Sequence, residues 1–148
     1  MVPESQKVVL YVEDLESDRV LMRHAFKKAS VSHPIAEVCD GGEAIEYLSR
    51  TGAYVDREKH PSACLIVTDL KMPRVDGFAL LEWMRERPEF DNVPRLVLTA
   101  SAQDQDVKRA TELGCCAYYV KPNGLGELVE TVAHIDEKWI VTHCPPTR

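Results

Sequence analysis

The sequence predicts an α/β fold in which a doubly wound, five-stranded parallel sheet is covered by five helices. Five short apolar runs are each followed by a segment with helical apolar spacing. Parallel strands need crossover connections and both faces of a parallel sheet must be covered, so this alternation favours helices on both faces. The chain of 148 residues has the usual length of one domain.

The first strand is predicted at VVLYV, residues 8–12, because the run is short and rich in β-branched residues, and the helical pattern ESDRVLMRHAFKKAS follows it. The second strand is a weaker run, PIAEVC. It leads into DGGEAIEYLS, where Asp40 can cap a helix and Glu43 can complete a capping box. The polar loop that follows, RTGAYVDREKHP, exceeds the usual length of such a connection.

The third strand is predicted at ACLIVTD, before a helix, GFALLEWMRER, that stops at Pro88. RLVLTA and DQDVKRATELG form the fourth unit, with Gly114 as a helix C-cap, and CAYYV and LGELVETVAHIDEKWI form the fifth. The last ten residues, WIVTHCPPTR, are predicted to leave the helix as a mobile tail or an interface arm. We therefore expect a single domain over residues 1–148, with a core of about 7–138 and a C-terminal extension at 139–148.

Composition and charge exclude several classes of protein. The net charge is −6, and no basic run exceeds the pair Lys27 and Lys28, which argues against a nucleic-acid or anionic-membrane surface. The N-terminal MVPESQK lacks an apolar signal core and no window approaches a membrane span, so we expect a cytoplasmic protein. The five cysteines show no zinc-site spacing, and we expect free thiols in a reducing cytosol.

Polar side chains follow the carboxyl ends of four predicted strands, where the ligand crevice of an open parallel sheet lies. They are Glu13 and Asp14 after the first strand, Asp69 after the third, Thr99 at the end of the fourth and Lys121 after the fifth. Crowded carboxylates repel one another unless a cation lies among them. Oxygen ligands without histidine or cysteine suit Mg²⁺, which is often bound together with phosphate oxygens.

A magnesium site in turn indicates phosphoryl chemistry. Asp69 would be the nucleophile and would form an acyl phosphate on the protein itself. Lys121 would offset charge on the phosphoryl oxygens, and Thr99 would donate a hydrogen bond to one of them.

Four motifs at these strand ends carry a family resemblance: VED at 12–14, DLKMPRVDG at 69–77, LTA at 98–100 and YYVKP at 118–122. With them, the chain from about Lys7 to Lys138 resembles the receiver domain of two-component response regulators, similar to the stand-alone chemotaxis type. The resemblance implies a flavodoxin-like sheet of order 2-1-3-4-5. The loop at 51–61 and the tail past Trp139 look like those of small regulators that partner bacterial phytochrome kinases, a subgroup associated with homodimers.

The resemblance also implies how the site binds its metal and its phosphoryl group. Asp69 would be the phosphoacceptor. Mg²⁺ would be bound by Asp14, by Asp69 and by the backbone carbonyl of Lys71, while Glu13 would act mostly through a metal-bound water. Lys121 and Thr99 would contact the phosphoryl group.

Further roles follow from the same resemblance. Thr99 and Tyr118 would form the switch, in which the tyrosine turns inward as the threonine moves toward the phosphate. Ala100 is small, as access of the phosphoryl group requires, and Lys71 and Ser101 would tune the phosphoryl lifetime. Pro122 indicates a cis peptide bond after Lys121.

The implied partners are a histidine kinase or phosphotransfer protein upstream and a protein target downstream. With no output domain after the fifth helix, we expect signalling by a phosphorylation-driven change in protein binding or by phosphorelay. The target, or a second copy in a homodimer, would dock on the last two strand-helix units and the C-terminal extension. The protein would catalyse only its own phosphorylation and dephosphorylation, so it would not be an enzyme in the ordinary sense.

Other interpretations stay open at this stage. An aspartyl-phosphate hydrolase of the haloacid dehalogenase type places a second aspartate two positions after its nucleophile, but this position holds Lys71, which cannot protonate a leaving group in that way. A dinucleotide-binding module needs a glycine-rich first turn, and EDLESD contains no glycine. A phosphorylation-independent scaffold of the same fold remains a third possibility. Taken singly, Thr99 and Tyr118 would be structural residues.

Overall fold

A computed structural model describes residues 7–144 and shows one parallel sheet of order β2-β1-β3-β4-β5. The strands are β1 (Val8–Val12), β2 (Ile35–Val38), β3 (Ala63–Thr68), β4 (Arg95–Thr99) and β5 (Ala117–Val120). The helices are α1 (Glu16–Lys28), α2 (Gly41–Ser49), α3 (Gly77–Arg85), α4 (Asp104–Glu112) and α5 (Leu125–Ile135), with short 3₁₀ turns at Gly52–Tyr54 and Pro88–Phe90. The predicted fold class and strand order are confirmed.

The helices cover both faces of the sheet, as the alternation of strands and helices requires. On one face, Val9 and Tyr11 of β1 pack with residues of α1 and α5. On the other face, Leu10 and Val12 of the same strand pack with residues of α2 and α3. Because successive side chains of a strand point to opposite faces, a fully apolar β1 serves both clusters.

Local sequence signals explain where the helices begin and end. Asp40 accepts a hydrogen bond from the Glu43 N–H at 2.8 Å, which is the predicted cap of α2. Glu43 Oε1 in turn accepts from the Cys39 N–H at 2.6 Å, whereas a capping box would have it accept from the N–H of Asp40. Asp76 caps α3 by accepting from the Ala79 N–H at 2.9 Å. Gly114, with φ of +99°, follows the end of α4.

The prediction that the chain leaves the helix near Trp139 is wrong. After α5 the chain continues as a π-helical turn, Asp136–Ile140, and one further helical turn, Val141–His143. We call residues 136–144 the C-terminal segment. Ile140 and Cys144 are buried in the cluster formed by α1, α5 and the sheet, which we call the α1/α5 cluster, and this burial holds the segment against the core. The rest of the predicted tail, 145–148, lies outside the described residues.

The expectation of free thiols is wrong for two of the cysteines. Cys64 and Cys144 form a disulfide across 80 residues of sequence, whereas Cys39, Cys115 and Cys116 are free. Spacing along the chain gives no sign of this pair, because only the fold brings the two residues together. Within residues 7–144, no helix is both long and apolar enough to cross a lipid bilayer.

Candidate functional site

The carboxyl ends of β1, β3, β4 and β5 meet at one side of the sheet, which we call the carboxyl edge. Glu13 is fully buried there, Asp69 is 7% exposed and Asp14 is half-buried. Carboxylate oxygens of these three residues all lie within 4.8 Å of one another. The Asp69 N–H donates to the carbonyl of Val12 at 3.1 Å, so the pairing of β1 and β3 continues to the acidic residues and fixes their spacing.

Lys121 is the cation at the centre of this cluster. Its Nζ lies 3.0 Å from Asp69 Oδ2 and 2.8 Å from Asp18 Oδ2, and it also contacts Glu13 Oε1. Its own N–H donates to the carbonyl of Thr99 at 2.7 Å, which continues the pairing of β4 and β5 beyond the strand ends. Sequence reasoning missed Asp18, although it lies about one helical turn after Asp14 and so faces the same edge.

The electrostatics of the cluster follow from burial and from this one ammonium. Burial raises the pKa of Glu13 to about 7, the hydrogen bond from Lys121 opposes the rise, and Asp69 adds to it. Burial alone would lower the pKa of Lys121, but its bonds to Asp18 and Glu13 outweigh burial and raise that pKa. Lys121 therefore stays an ammonium, and the carboxylates around it outnumber it.

The donor set fits a hard divalent cation. Glu13, Asp14 and Asp69 offer only oxygen atoms, and no sulfur or ring nitrogen joins this cluster in the described part of the chain. The excess of carboxylates over Lys121 is the charge that a cation would balance. The Lys71 carbonyl, two residues after Asp69, is the further oxygen that the family resemblance implies.

The loop after Asp69 is held by backbone contacts that require glycine. The Leu70 N–H donates to Asp69 Oδ1 at 2.6 Å, and the Gly77 N–H donates to the Leu70 carbonyl at 3.0 Å. A Cβ on Gly77 would lie 2.1 Å from the Asp69 carbonyl oxygen, so any side chain here would force the backbone to shift. Near the other end of the loop, Val75 packs closely on Gly41, the first residue of α2. A Cβ on Gly41 would lie 2.5 Å from the Val75 carbonyl oxygen. Asp69 thus has one oxygen held by the loop and the other directed at Lys121.

Thr99 is buried and belongs to a set of contacting side chains that we call the group on the β4–α4 side: Thr99, Ser101, Asp106 and Lys71. The Ser101 N–H approaches Thr99 Oγ1 at 3.4 Å, and the Ser101 hydroxyl donates to Asp106 Oδ2 at 2.6 Å. Lys71 Nζ lies 3.4 Å from the same Asp106 oxygen. The hydrogen bond from Ser101 holds the pKa of Asp106 below its usual range, and Lys71 adds to this effect. No sequence signal pointed to Asp106, because its partners come from two other loops.

Tyr118 and Ala100 lie beside this group. The Tyr118 hydroxyl donates to the carbonyl of Ser101 at 2.8 Å, and its half-buried ring packs on the cluster that includes Phe78 and Ala110. Ala100 is exposed. The bond after Lys121 is trans, and no cis peptide bond occurs among the described residues, so the prediction at Pro122 is wrong. A proline only lowers the cost of the cis form, and the trans form is still favoured by about 0.5–1 kcal/mol.

The structure therefore brings Glu13, Asp14, Asp69 and Lys121 into one cluster and places Thr99 beside it. Comparison with known proteins gives the class to which this arrangement belongs. Residues 9–133 match the response regulator receiver domain, and the chain belongs to that family. Receiver domains of this kind are signalling proteins that work between a histidine kinase and a downstream target.

Among individual proteins, the chain is similar to regulators of phytochrome signalling. The response regulator Rcp1 of Synechocystis sp. is 32% identical over 136 residues, covering 92% of this chain and 90% of Rcp1. The crystal structure of the phosphorylated cyanobacterial phytochrome response regulator RcpA matches with a TM-score of 0.83 and 31% identity, covering 93% of this chain and 96% of that one. The Mn²⁺-bound form of Rcp1 matches with a TM-score of 0.81 and 32% identity, covering 95% and 99%.

Proposed function

We propose that this protein is a response regulator that accepts a phosphoryl group on Asp69 in a Mg²⁺-dependent reaction. One observation carries the proposal: Asp69 Oδ2 lies 3.0 Å from Lys121 Nζ, inside a cluster whose carboxylate oxygens lie within 4.8 Å of one another. Phosphorylation of RcpA and metal binding by Rcp1 support it, since both relatives share the fold and about a third of the sequence.

The geometry suggests how the chain would carry out the transfer. The Leu70 N–H engages Asp69 Oδ1, so Oδ2 is the oxygen that would attack the phosphorus of a phosphohistidine. The new bond joins Oδ2 to phosphorus as the phosphorus–nitrogen bond breaks, and the histidine leaves with the nitrogen electron pair. Lys121, already beside Oδ2, would balance the added negative charge.

Asp14, Asp69 and the Lys71 carbonyl would hold the cation, with Glu13 acting through a bound water. When bound, Mg²⁺ supplies neutralisation of the charge on the phosphoryl oxygens. The chain's own contribution is to hold these oxygens close together before the cation arrives. The buried position of Glu13 keeps bulk water away from one side of the site.

The switch would act through the group on the β4–α4 side. A Thr99 hydroxyl that turned to a phosphoryl oxygen would leave its contact with the Ser101 N–H, and the Tyr118 hydroxyl that holds the Ser101 carbonyl would have to rearrange. Phosphorylation adds roughly −1.5 to −2 charge units, which is a sufficient stimulus for such a local change. The downstream target would respond to the altered surface of α4, β5 and α5.

Access and lifetime are proposed to depend on three residues near Asp69. The small, exposed Ala100 would let the phosphoryl donor reach the site. Lys71 and Ser101, both held by Asp106, would limit the approach of attacking water. Lys71→Asn is expected to raise the dephosphorylation rate, measured by loss of the phosphoryl adduct over time, and an unchanged rate would dispose of this role.

The wider assignment rests on the relatives. We propose that residues 1–148 act as one receiver unit in the cytoplasm, phosphorylated by a histidine kinase of the phytochrome type or by a phosphotransfer protein. A homodimer through the last two strand-helix units and the C-terminal residues is part of this proposal. Sedimentation with and without beryllium fluoride would test it, and a monomer under both conditions at high concentration would count against the dimer.

The direct test is intact-protein mass spectrometry after incubation with Mg²⁺ and acetyl phosphate. We expect one phosphoryl adduct on the wild type, and none on Asp69→Asn or in EDTA. Asp76→Asn is the matched control, because Asp76 lies in the same loop and asparagine keeps the helix cap, so this variant should be modified normally. A wild type that stays unmodified and does not bind beryllium fluoride would favour the scaffold instead.

A further inference from the structure

The two disulfide-bonded cysteines lie at the opposite end of the sheet from the proposed phosphoacceptor, which we call the amino edge. Cys64 is the second residue of β3, and a register shift sits beside it: Val8 pairs with Ala63, but Val9 pairs with Leu65. Cys64 is therefore an extra, unpaired residue in the ladder. Such bulges redirect a side chain, and here Cys64 and Leu65 pack in the same cluster instead of on opposite faces.

The redirected sulfur meets the C-terminal segment. Cys144 is 2% exposed and its Cα lies 5.4 Å from that of Cys64, a normal span for a disulfide. The other anchors of the segment are the buried Ile140 and Trp139, which packs against the α1/α5 cluster and whose Nε1–H donates to the Tyr119 hydroxyl at 3.0 Å. Val141 is 65% exposed. A short terminal segment with so few buried contacts is the kind that opens locally without unfolding of the core.

A histidine completes the cluster. His33, in the α1–β2 connection, has its Nε2 3.6 Å from Cys64 Sγ, and the His33, Cys64 and Cys144 ligand atoms lie within 4.8 Å of one another. At this distance a ring N–H of His33 can donate a hydrogen bond to the sulfur as it becomes a thiolate. Cys64 is thus placed to leave as a thiolate, while Cys144 sits on the part of the chain that can open toward an attacking thiol.

We propose that Cys64 and Cys144 form a reversible thiol–disulfide site that fastens the C-terminal segment to the amino edge when oxidised and releases it when reduced. A thiolate of a dithiol reductant attacks Cys144 Sγ, and Cys64 leaves as a thiolate and takes up a proton. The second thiol of the reductant then attacks the mixed disulfide and releases Cys144. Two electrons and two protons pass to the cysteines, and the reductant becomes a disulfide. This inference goes beyond the proposed function and rests on no residue of the carboxyl edge.

The experiment uses the full chain, treated with dithiothreitol or with glutathione disulfide in the absence of denaturant. Alkylation followed by mass spectrometry should find the three free cysteines in the oxidised protein and all five in the reduced one. Hydrogen exchange of the amides in residues 136–144 should speed up by about tenfold or more on reduction, while β1 and β3 stay protected. Reoxidation by glutathione disulfide should restore the slow exchange.

Variants separate this site from a merely structural one. Cys144→Ser should show the fast exchange in both buffers, whereas Cys116→Ser, which removes an exposed free thiol, should behave as wild type. His33→Gln should slow reduction severalfold without changing the exchange of the oxidised form. Asp69→Asn should respond to both reagents as wild type does, so failure here is distinguishable from failure of the phosphoacceptor proposal.

Three outcomes would overturn the inference. The first is that the Cys64–Cys144 disulfide resists reduction until the protein unfolds, which would make it a permanent crosslink. The second is that reduction proceeds but leaves the hydrogen exchange of residues 136–144 unchanged, which would mean that the C-terminal segment is not released. The third is that the reduced protein binds one Zn²⁺ and that both Cys144→Ser and His33→Gln lose it, which would make His33, Cys64 and Cys144 a metal site.

Discussion

The two ends of β3 differ in what holds the surrounding chain in place. Cys64, near the start of the strand, is joined by a covalent bond within an apolar cluster. Asp69, which directly follows the strand about 16 Å away, lies among carboxylates that share one ammonium. The amino edge therefore stabilises the fold, while the carboxyl edge holds charges whose repulsion a cation or a change of charge state can relieve. The phosphoryl chemistry proposed for the carboxyl edge therefore depends on electrostatic contacts, whereas the exchange proposed for the amino edge depends on one covalent bond.

The largest expected effect comes from removing the ammonium of Lys121, which contacts Glu13, Asp18 and Asp69. Lys121→Met would leave the buried Glu13 beside Asp18 and Asp69 without a counter-charge, at a cost of about 3–4 kcal/mol in the free energy of unfolding. Urea unfolding in EDTA measures this, with Lys108→Met in the exposed part of α4 as a control expected within about 0.5 kcal/mol of wild type. Saturating Mg²⁺ should stabilise Lys121→Met more than wild type, and equal stabilisation would contradict the shared-charge account.

The next effect comes from the loop that carries Asp69. Gly77→Ala would place a Cβ 2.1 Å from the Asp69 carbonyl oxygen, and backbone on both sides must then move. We expect a loss of about 3 kcal/mol in urea unfolding together with loss of phosphorylation by acetyl phosphate. Gly126→Ala is the matched control, because a Cβ there would meet nothing within 4 Å, and it should be neutral or slightly stabilising. Normal phosphorylation of Gly77→Ala would show that the loop does not fix Asp69.

A third change sharpens the description of the amino edge. Ile140→Ala should destabilise the protein by about 2 kcal/mol, since Ile140 is 2% exposed and packs in the α1/α5 cluster. Val141→Ala, at a position 65% exposed, should change the unfolding free energy by less than about 0.5 kcal/mol. Phosphorylation of both variants should match wild type. Equal stability of the two variants would mean that the C-terminal segment does not pack on the core and behaves as the predicted tail.

The smallest effect concerns Asp40, which caps α2 at the carboxyl edge. Burial alone would raise its pKa, but hydrogen bonds from the Glu43 N–H and from Arg74 outweigh burial and lower it. A lowered pKa means that this stability is present above the unfolded-state pKa of about 3.9 and is lost as the pH falls through the folded-state value. Asp40→Asn keeps a cap but loses the charge.

Urea unfolding at several pH values tests this. The difference between wild type and Asp40→Asn should be about 1 kcal/mol near neutral pH and should shrink below about pH 4. Arg74→Met should remove part of the same difference. A difference that stayed constant from neutral pH down to pH 3 would be inconsistent with a charged cap.

Most of the fold was predictable because it depends on local patterns. The strands were short, mostly apolar runs, with β2 the weakest because it contains Glu37, and the cap at Asp40 marks the start of α2. Glu13, Asp14 and Asp69 were predictable as a group, since parallel strands bring their carboxyl ends to one edge, but Asp18 lies in α1 and was missed. Asp106 was not, because its partners Lys71 and Ser101 come from separate loops.

The C-terminal segment and the disulfide were also beyond prediction. Nothing local distinguishes the buried Ile140 from the exposed Val141, and the pairing of Cys64 with Cys144 depends on a bulge in β3 and on a helix that ends beside it. The bond before Pro122 is trans, the form that an X–Pro bond favours, and the wrong prediction of a cis bond came from the family resemblance.

The measurement that tests the central claim most directly is the position of the phosphoryl group. The protein is incubated with acetyl phosphate and Mg²⁺ and reduced with borohydride, which converts an aspartyl phosphate to homoserine, and its peptides are then sequenced by tandem mass spectrometry. We expect homoserine at position 69 and at no other aspartate. Homoserine at Asp14, Asp18 or Asp76 instead, or an unmodified Asp69 in protein that carries a phosphoryl group, would contradict the account.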